Sequence, residues 1–215
     1  MTRAFKQKTT RGSISSRYIG RLLAMPKIDE LIREANTFPE PSEEMNIEHG
    51  IAPLIETFNS LSFVRTTSSC EGHVYEMMGS WREPVTKETL SMFGTARVKP
   101  AEILFEVDGR VSPNIGYRIT TLSPESECFL SGLNRFIMRQ KRKGNFLILS
   151  RYQSYHGEDT KPEYCLSIRK KKQILGKDFR FLDALNIKRE INRIIKELDE
   201  YLQTAKMGLI ESRMI

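Results

Sequence analysis

Apolar positions fall in two alternating rhythms along the chain, one helical and one extended. Behind Pro26, which suits a first helical turn, Ile28, Leu31, Ile32 and Ala35 share one face at 3.6-residue spacing, and Phe38-Pro39-Glu40-Pro41 ends the run. A second helical region is expected from Ser42 to Ser60, with Ile47, Ile51, Leu54, Ile55 and Phe58 on one side. Gly50 and Pro53 split it, because an interior proline loses a backbone hydrogen bond and clashes with the preceding turn. Residues 62–66 then read as a short strand, and residues 74–81 as a strand pairing back. Residues 82–100 match neither period. Ile103, Phe105 and Val107 alternate, Asp108-Gly109 signals a turn, and Ile115, Tyr117, Ile119 and Thr121 alternate again, which predicts a meander. Pro124 and Glu125 open a helix with Phe129, Leu133, Phe136 and Ile137 on its apolar face and Gly144 as its stop. Strands follow at residues 146–152 and 164–168 around a polar loop. Residues 186–205 carry Ile187, Ile191, Ile194, Ile195, Leu198, Tyr201 and Leu202 on one stripe, the mark of an amphipathic helix.

This order predicts an α/β or α+β fold, a mixed sheet with packing helices and a C-terminal amphipathic helix. The expected organisation is a flexible basic arm over residues 1–25, an α/β domain over 26–180, and a helical appendage over 181–215 with its stripe used for packing or a dimer contact. At 215 residues the chain is long enough for a sizeable core. No run approaches the roughly 18 apolar residues of a membrane span, so no membrane partner is expected. Cys70, Cys128 and Cys165 are odd in number and far apart, which points to reduced thiols and a cytoplasmic setting.

Charge changes the picture more than composition does. The 34 Lys and Arg against 27 Asp and Glu leave a net charge of +7, enough to favour polyanions if it is clustered. The first 21 residues hold Arg3, Lys6, Lys8, Arg11, Arg17 and Arg21 without a carboxylate. Two further runs, Arg139, Lys141, Arg142 and Lys143, then Arg169, Lys170, Lys171 and Lys172, are candidate nucleic-acid contacts, with RNA the expected partner. A solvated basic face, or a cation-rich helix end in the first case, accounts for either run equally well. Trp81 with Tyr75 and Arg82, and the cluster Arg151, Tyr152, Tyr155 and His156, are weaker candidates for stacking on a base or lining a phosphate pocket.

The densest chemistry lies in Thr66-Thr67-Ser68-Ser69-Cys70-Glu71-Gly72-His73. Four readings apply to this octapeptide. It is a tight turn in which Gly72 supplies a positive φ and the hydroxyls satisfy backbone groups. It is half a metal site, Cys70 and His73 being a Cys-x-x-His pair; His49, Cys128, His156 and Cys165 offer no second close pair, so no metal is assigned. It is a nucleophilic centre, a Cys70 thiolate assisted by His73. Or it is a polar ligand loop whose hydroxyls and amides cradle a phosphate, carboxylate or base edge.

The pattern Asn59-x-x-x-Phe63-x-x-Thr66-Thr67-Ser68-Ser69-Cys70-x-Gly72 resembles the hallmark of the wybutosine-synthesizing protein 3 family, methyltransferases that act on a tricyclic guanine derivative in phenylalanine tRNA. The match is firm over residues 59–73; residues 98–107 and 129–137 are faintly similar to a later strand and helix of that family. Where the family carries Thr-Ser-Ser-Cys-Ser-Gly-Arg, this chain has Glu71 and His73 in place of the last serine and the arginine. The resemblance implies a tRNA-modifying methyltransferase that uses S-adenosylmethionine. It places Thr67, Ser68, Ser69, Cys70 and Gly72 at the cofactor; in such a reaction Glu71 or His73, the two departures from the family, is the residue to take the proton. No Gly-x-Gly-x-x-Gly fingerprint follows a strand. A non-catalytic nucleic-acid-binding module and a thiol or metal regulatory domain are the alternatives from other classes.

Overall fold

A computed structural model describes residues 14–36, 48, 50–76, 83–114, 117–152, 161–170 and 178–211. Among them the fold is α+β. Three helices lead in: α1 (Ser16–Leu23), α2 (Ile28–Ala35) and α3 (Ala52–Asn59). Then come β1 (Val64–Cys70), β2 (Val74–Glu76), α4 (Lys87–Phe93), β3 (Thr95–Val98), β4 (Ala101–Val107), β5 (Gly109–Asn114) and β6 (Tyr117–Leu122). The chain closes with α5 (Pro124–Arg142), β7 (Asn145–Tyr152), β8 (Glu163–Lys170), β9 (Phe179–Arg180) and α6 (Phe181–Glu211).

The main sheet has the antiparallel order β1-β4-β8-β7, a second sheet has the order β2-β3-β9, and β5 and β6 form a hairpin. In β4 burial alternates residue by residue, as the Ile103, Phe105 and Val107 pattern requires. The expected meander fails at Asp108. Both edges of β4 are already taken by β1 and β8, so β5 pairs with β6 alone. The Asp108 amide donates to Phe63 O and its carbonyl accepts from the Ser123 amide, which ties the base of the hairpin to the sheet.

Local signals account for the helix limits. Pro53 stands in the first turn of α3, so the expected split falls where α3 begins. Residues 42–47, the other half of that prediction, lie outside the described residues. Ser123 caps α5, and Gly144, at φ +82°, follows its last turn. Residues 82–100, which the periodicity left unassigned, hold α4 and β3. Thr86 and Thr89 form a reciprocal capping box at the start of α4, and Gly94 ends it at φ +61°.

Two expectations about the chain ends need correction. Residues 16–23, assigned to a flexible arm, form α1, capped by Ser15 and anchored by buried Leu22. The arm's first 13 residues lie outside the described set. The C-terminal segment is no appendage: α6 buries Phe181, Ala184, Leu185, Ile191, Ile194, Ile195, Leu198 and Leu202 in the same core as the sheet and α3. Its stripe is consumed inside the chain rather than left for a dimer. At the centre, Phe58 of α3 meets Phe105 of β4 and Phe129 of α5 edge-on, at ring separations of 5.2 and 5.5 Å. That aromatic contact fixes α3 against the sheet directly before β1.

Candidate functional site

The octapeptide is strand for more than half its length. Asn59, at the end of α3, accepts a 2.8 Å hydrogen bond from the Thr66 amide and so ties the helix end to β1. Pairing with β4 shifts between Thr66 and Ser68, a bulge that leaves Thr67 as the extra residue, its hydroxyl donating to Glu163 at 3.1 Å. Thr67 and Ser68 are exposed on this edge of the sheet, Ser69 is half-buried, and Cys70 is buried. The predicted short strand followed by a ligand loop is thus one longer strand followed by a three-residue turn.

Gly72 makes that turn. At φ +82° it occupies backbone space that other residues rarely enter, and an added Cβ would lie 2.8 Å from Lys99 O and 3.0 Å from the Ala101 amide nitrogen. The Lys99 amide donates to His73 O at 2.8 Å, so the turn is pressed against the start of β4 and held there.

Its side chains point inward onto a residue that sequence reasoning passed over. Glu48, on the segment before α3, places Oε1 2.7 Å from His73 Nε2, and its Oε2 accepts from the Glu71 amide. Glu71 returns the clasp, its Oε2 accepting from the Gly50 amide at 2.8 Å. An added Cβ on Gly50 would collide with that carboxylate. Cys70 Sγ, a His73 ring nitrogen and a Glu48 carboxylate oxygen lie within 4.8 Å of one another. From α6, Lys188 enters the same region. His73, Glu71 and Lys188 are only 1%, 4% and 5% exposed.

Buried charges of both signs set the ionisation of this cluster. Burial opposes the charged form of His73, but hydrogen bonds to Cys70 and Glu48 overcome it and push the pKa up to about 9. At neutral pH the imidazole is therefore protonated and pairs with Glu48 as an ion pair. Burial likewise opposes the Glu48 carboxylate, yet His73 and the Glu71 amide bring its pKa below the ordinary value. Glu71 is raised, chiefly by burial, with Lys188 offsetting part of the effect. Lys188 is lowered by burial against the pull of Glu71, Glu34 and Glu48.

The described parts of the two basic runs, residues 139–143 and 169–170, lie at the same end of the sheet as this turn. Cys70 pairs with Glu102, Ala101 with Ile168, and Asn145 with Lys170, so the end of β1, the end of β8 and the start of β7 lie side by side. Arg139, Lys141, Arg142 and Lys143 close α5 directly before β7. Lys143 pairs with Glu197 at 3.0 Å, and the Arg139 guanidinium lies 5.6 Å above the Tyr201 ring; Lys141 and Arg142 are exposed. Arg169 donates to Ser167 Oγ at 3.0 Å, and Lys170 ends β8. Lys171, Lys172, Trp81, Tyr155 and His156 lie outside the described residues. No helix among the described residues is long and apolar enough to cross a membrane.

No family model, no curated protein and no solved structure matches the chain.

Glu48 and Lys188 are the site residues that sequence reasoning missed. Glu48 carried no spacing signal, since candidate donors were sought among Cys and His alone. Lys188 did carry one. It occupies a stripe position of α6, in series with Ala184, Ile191 and Ile195, where a lysine has to be buried.

Proposed function

We propose that the chain is an RNA-modifying protein that transfers a methyl group from S-adenosylmethionine, with RNA held along the basic end of the main sheet and the chemistry at the β1–β2 turn. The observation that carries this reading is the register that puts the Cys70–His73 turn, the close of α5 and the Arg169–Lys170 end of β8 at one end of the sheet. With strands about 4.8 Å apart, the turn stands about 10 Å from β8 and about 14 Å from β7. That is the reach of about four stacked nucleotides at about 3.4 Å each. The methyl-transfer part is supported by the resemblance over residues 59–73.

The residues at the edge of β1 fit the polar part of such a cofactor. Ser68 is exposed there and no other strand among the described residues covers that edge, while the Thr67 hydroxyl is engaged by Glu163 of β8. When bound, the cofactor supplies an electrophilic methyl on a sulfonium. A charged His73 has no lone pair with which to take a proton at neutral pH, so its part is to hold the turn through Glu48. Glu71, the carboxylate whose pKa burial raises, is the group suited to accept the proton released by the acceptor base.

Calorimetric titration with S-adenosylmethionine, paired with transfer of labelled methyl to transfer RNA, tests the reading. Saturable cofactor binding that Ser68→Ala or Ser69→Ala weakens, with transfer that Glu71→Gln abolishes, is the expected result. Absence of both cofactor binding and transfer overturns it, and RNA binding alone would leave the non-catalytic module in its place.

A further inference from the structure

The ion pair of Glu48 and His73 does not account for the third member of its cluster. A carboxylate and an imidazolium hold each other without a thiol, yet Cys70 Sγ stands within 4.8 Å of both. Sulfur, nitrogen and oxygen donors thus converge from two segments distant in sequence. Their supports are fixed before any ligand arrives. Gly72 is wedged against the Lys99 carbonyl, the His73 carbonyl is bound by the Lys99 amide, and the second oxygen of Glu48 is held by the Glu71 amide.

We propose that Glu48, Cys70 and His73 form a mononuclear site for a divalent cation of the zinc class, with three protein donors and one coordination position left for water or a small ligand. The donor set selects the metal. Magnesium and calcium require shells made mainly of oxygen, whereas a thiolate with an imidazole and one carboxylate suits zinc. The hydrogen-bonded carboxylate is what an oriented metal ligand needs, since a partner on its other oxygen fixes its direction.

The geometry requires one small change. Two donors each about 2.0 Å from a tetrahedral ion stand about 3.3 Å apart, so Glu48 Oε1 and His73 Nε2 must separate from their present 2.7 Å. A rotation of the Glu48 carboxylate supplies that distance. The cation replaces the proton shared by Glu48 and His73, and the thiol loses its own; both protons pass to the buffer. The cation's two positive charges are then balanced by one thiolate and one carboxylate. Counting only cysteines and histidines in the sequence gave two donors and no site; the carboxylate makes three.

The site stands independently of RNA and S-adenosylmethionine, and its test uses neither. Full-length protein is stripped with a chelator, then titrated with zinc alone and, in parallel, with cobalt(II) alone as an optical reporter. One zinc per chain should survive gel filtration, and cobalt should give the absorption of sulfur-to-metal charge transfer. Cys70→Ser should abolish that absorption, and Glu48→Gln should weaken zinc binding by about 10-fold or more. Cys165→Ser, at a thiol outside the cluster, should change neither. Circular dichroism of each metal-free variant establishes that it is folded, and if Cys70→Ser is not, the wild-type and Glu48→Gln titrations decide. Wild-type protein that retains no zinc, or cobalt spectra that are the same with and without Cys70, would overturn the proposal.

Discussion

Glu48 and His73, 25 residues apart in the chain, meet at 2.7 Å and share a charge pair in which the imidazole is almost wholly enclosed. Because the other oxygen of Glu48 binds the Glu71 amide, one side chain fastens both the backbone and the imidazole of the turn. Replacing Glu48 with alanine therefore takes the carboxylate from a buried cation and the acceptor from a buried amide. The expected loss is about 3 kcal/mol, the lower end for breaking a buried ion pair, since Glu48 keeps a fifth of its side chain exposed. Urea denaturation of the metal-free protein measures it. A loss below about 1 kcal/mol would show that the pair is replaceable by solvent.

Gly72→Ala tests the turn itself. The substitution forces a side chain into a positive-φ conformation, at a cost of about 1–2 kcal/mol, and brings its Cβ to 2.8 Å from Lys99 O. We expect a total loss of at least about 2 kcal/mol. Gly20, where an added Cβ meets nothing, is the matched control, and Gly20→Ala should be neutral or stabilising.

At the basic end of the sheet, Lys141 and Arg142 are exposed at the close of α5. Reversing both to glutamate should weaken RNA binding and reduce the magnitude of the salt slope by about 1.4, as expected for two lost contacts to single-stranded phosphate. Thermal stability should stay within about 0.5 kcal/mol of the parent. An unchanged slope would remove α5 from the RNA-binding surface.

Arg189 of α6 grips Glu34 of α2 through two bonds of 2.6 and 2.7 Å. The guanidinium bond holds the Glu34 carboxyl below its usual pKa. A depressed carboxylate gives stability that is complete above the unfolded-state value and is lost as pH falls through the folded one. The contribution of the pair should thus be level above about pH 5 and fade below about 4.3. Glu34→Gln should abolish this acid-limb difference in a pH series of denaturation curves, with an effect of at most about 1 kcal/mol because the pair is exposed.

Periodicity read the backbone well where one residue type answers one local question. Pro53 and Gly144 set helix limits, β4 announced itself by alternation, and the stripe of α6 was visible from Ile187 to Leu202 though not over its first turn, where Phe181, Ala184 and Leu185 are buried. It failed where the answer depends on partners. Nothing local says that both edges of β4 are occupied, so Asp108-Gly109 looked like a hairpin turn. The chemistry of residues 66–73 was legible as composition, but not its division. Thr67 and Ser68 are exposed along a strand, while the Glu71 amide and the His73 ring meet Glu48, and that clasp spans a helix. A carboxylate is too common for its spacing to stand out; only the fold distinguishes Glu48 from its neighbours.

One helix bears on both halves of the molecule's polar chemistry. Lys188 of α6 faces Glu71 and Glu48, and Glu197 of the same helix takes hydrogen bonds from Gln140 and Lys143 at the close of α5. Nine helical residues span about 13.5 Å, so α6 acts as a ruler between the basic rim and the buried cluster. The basic rim at Lys143 and the ammonium group beside Glu71 are thus set at one fixed spacing by a single packed helix, so the position of each is defined by the other.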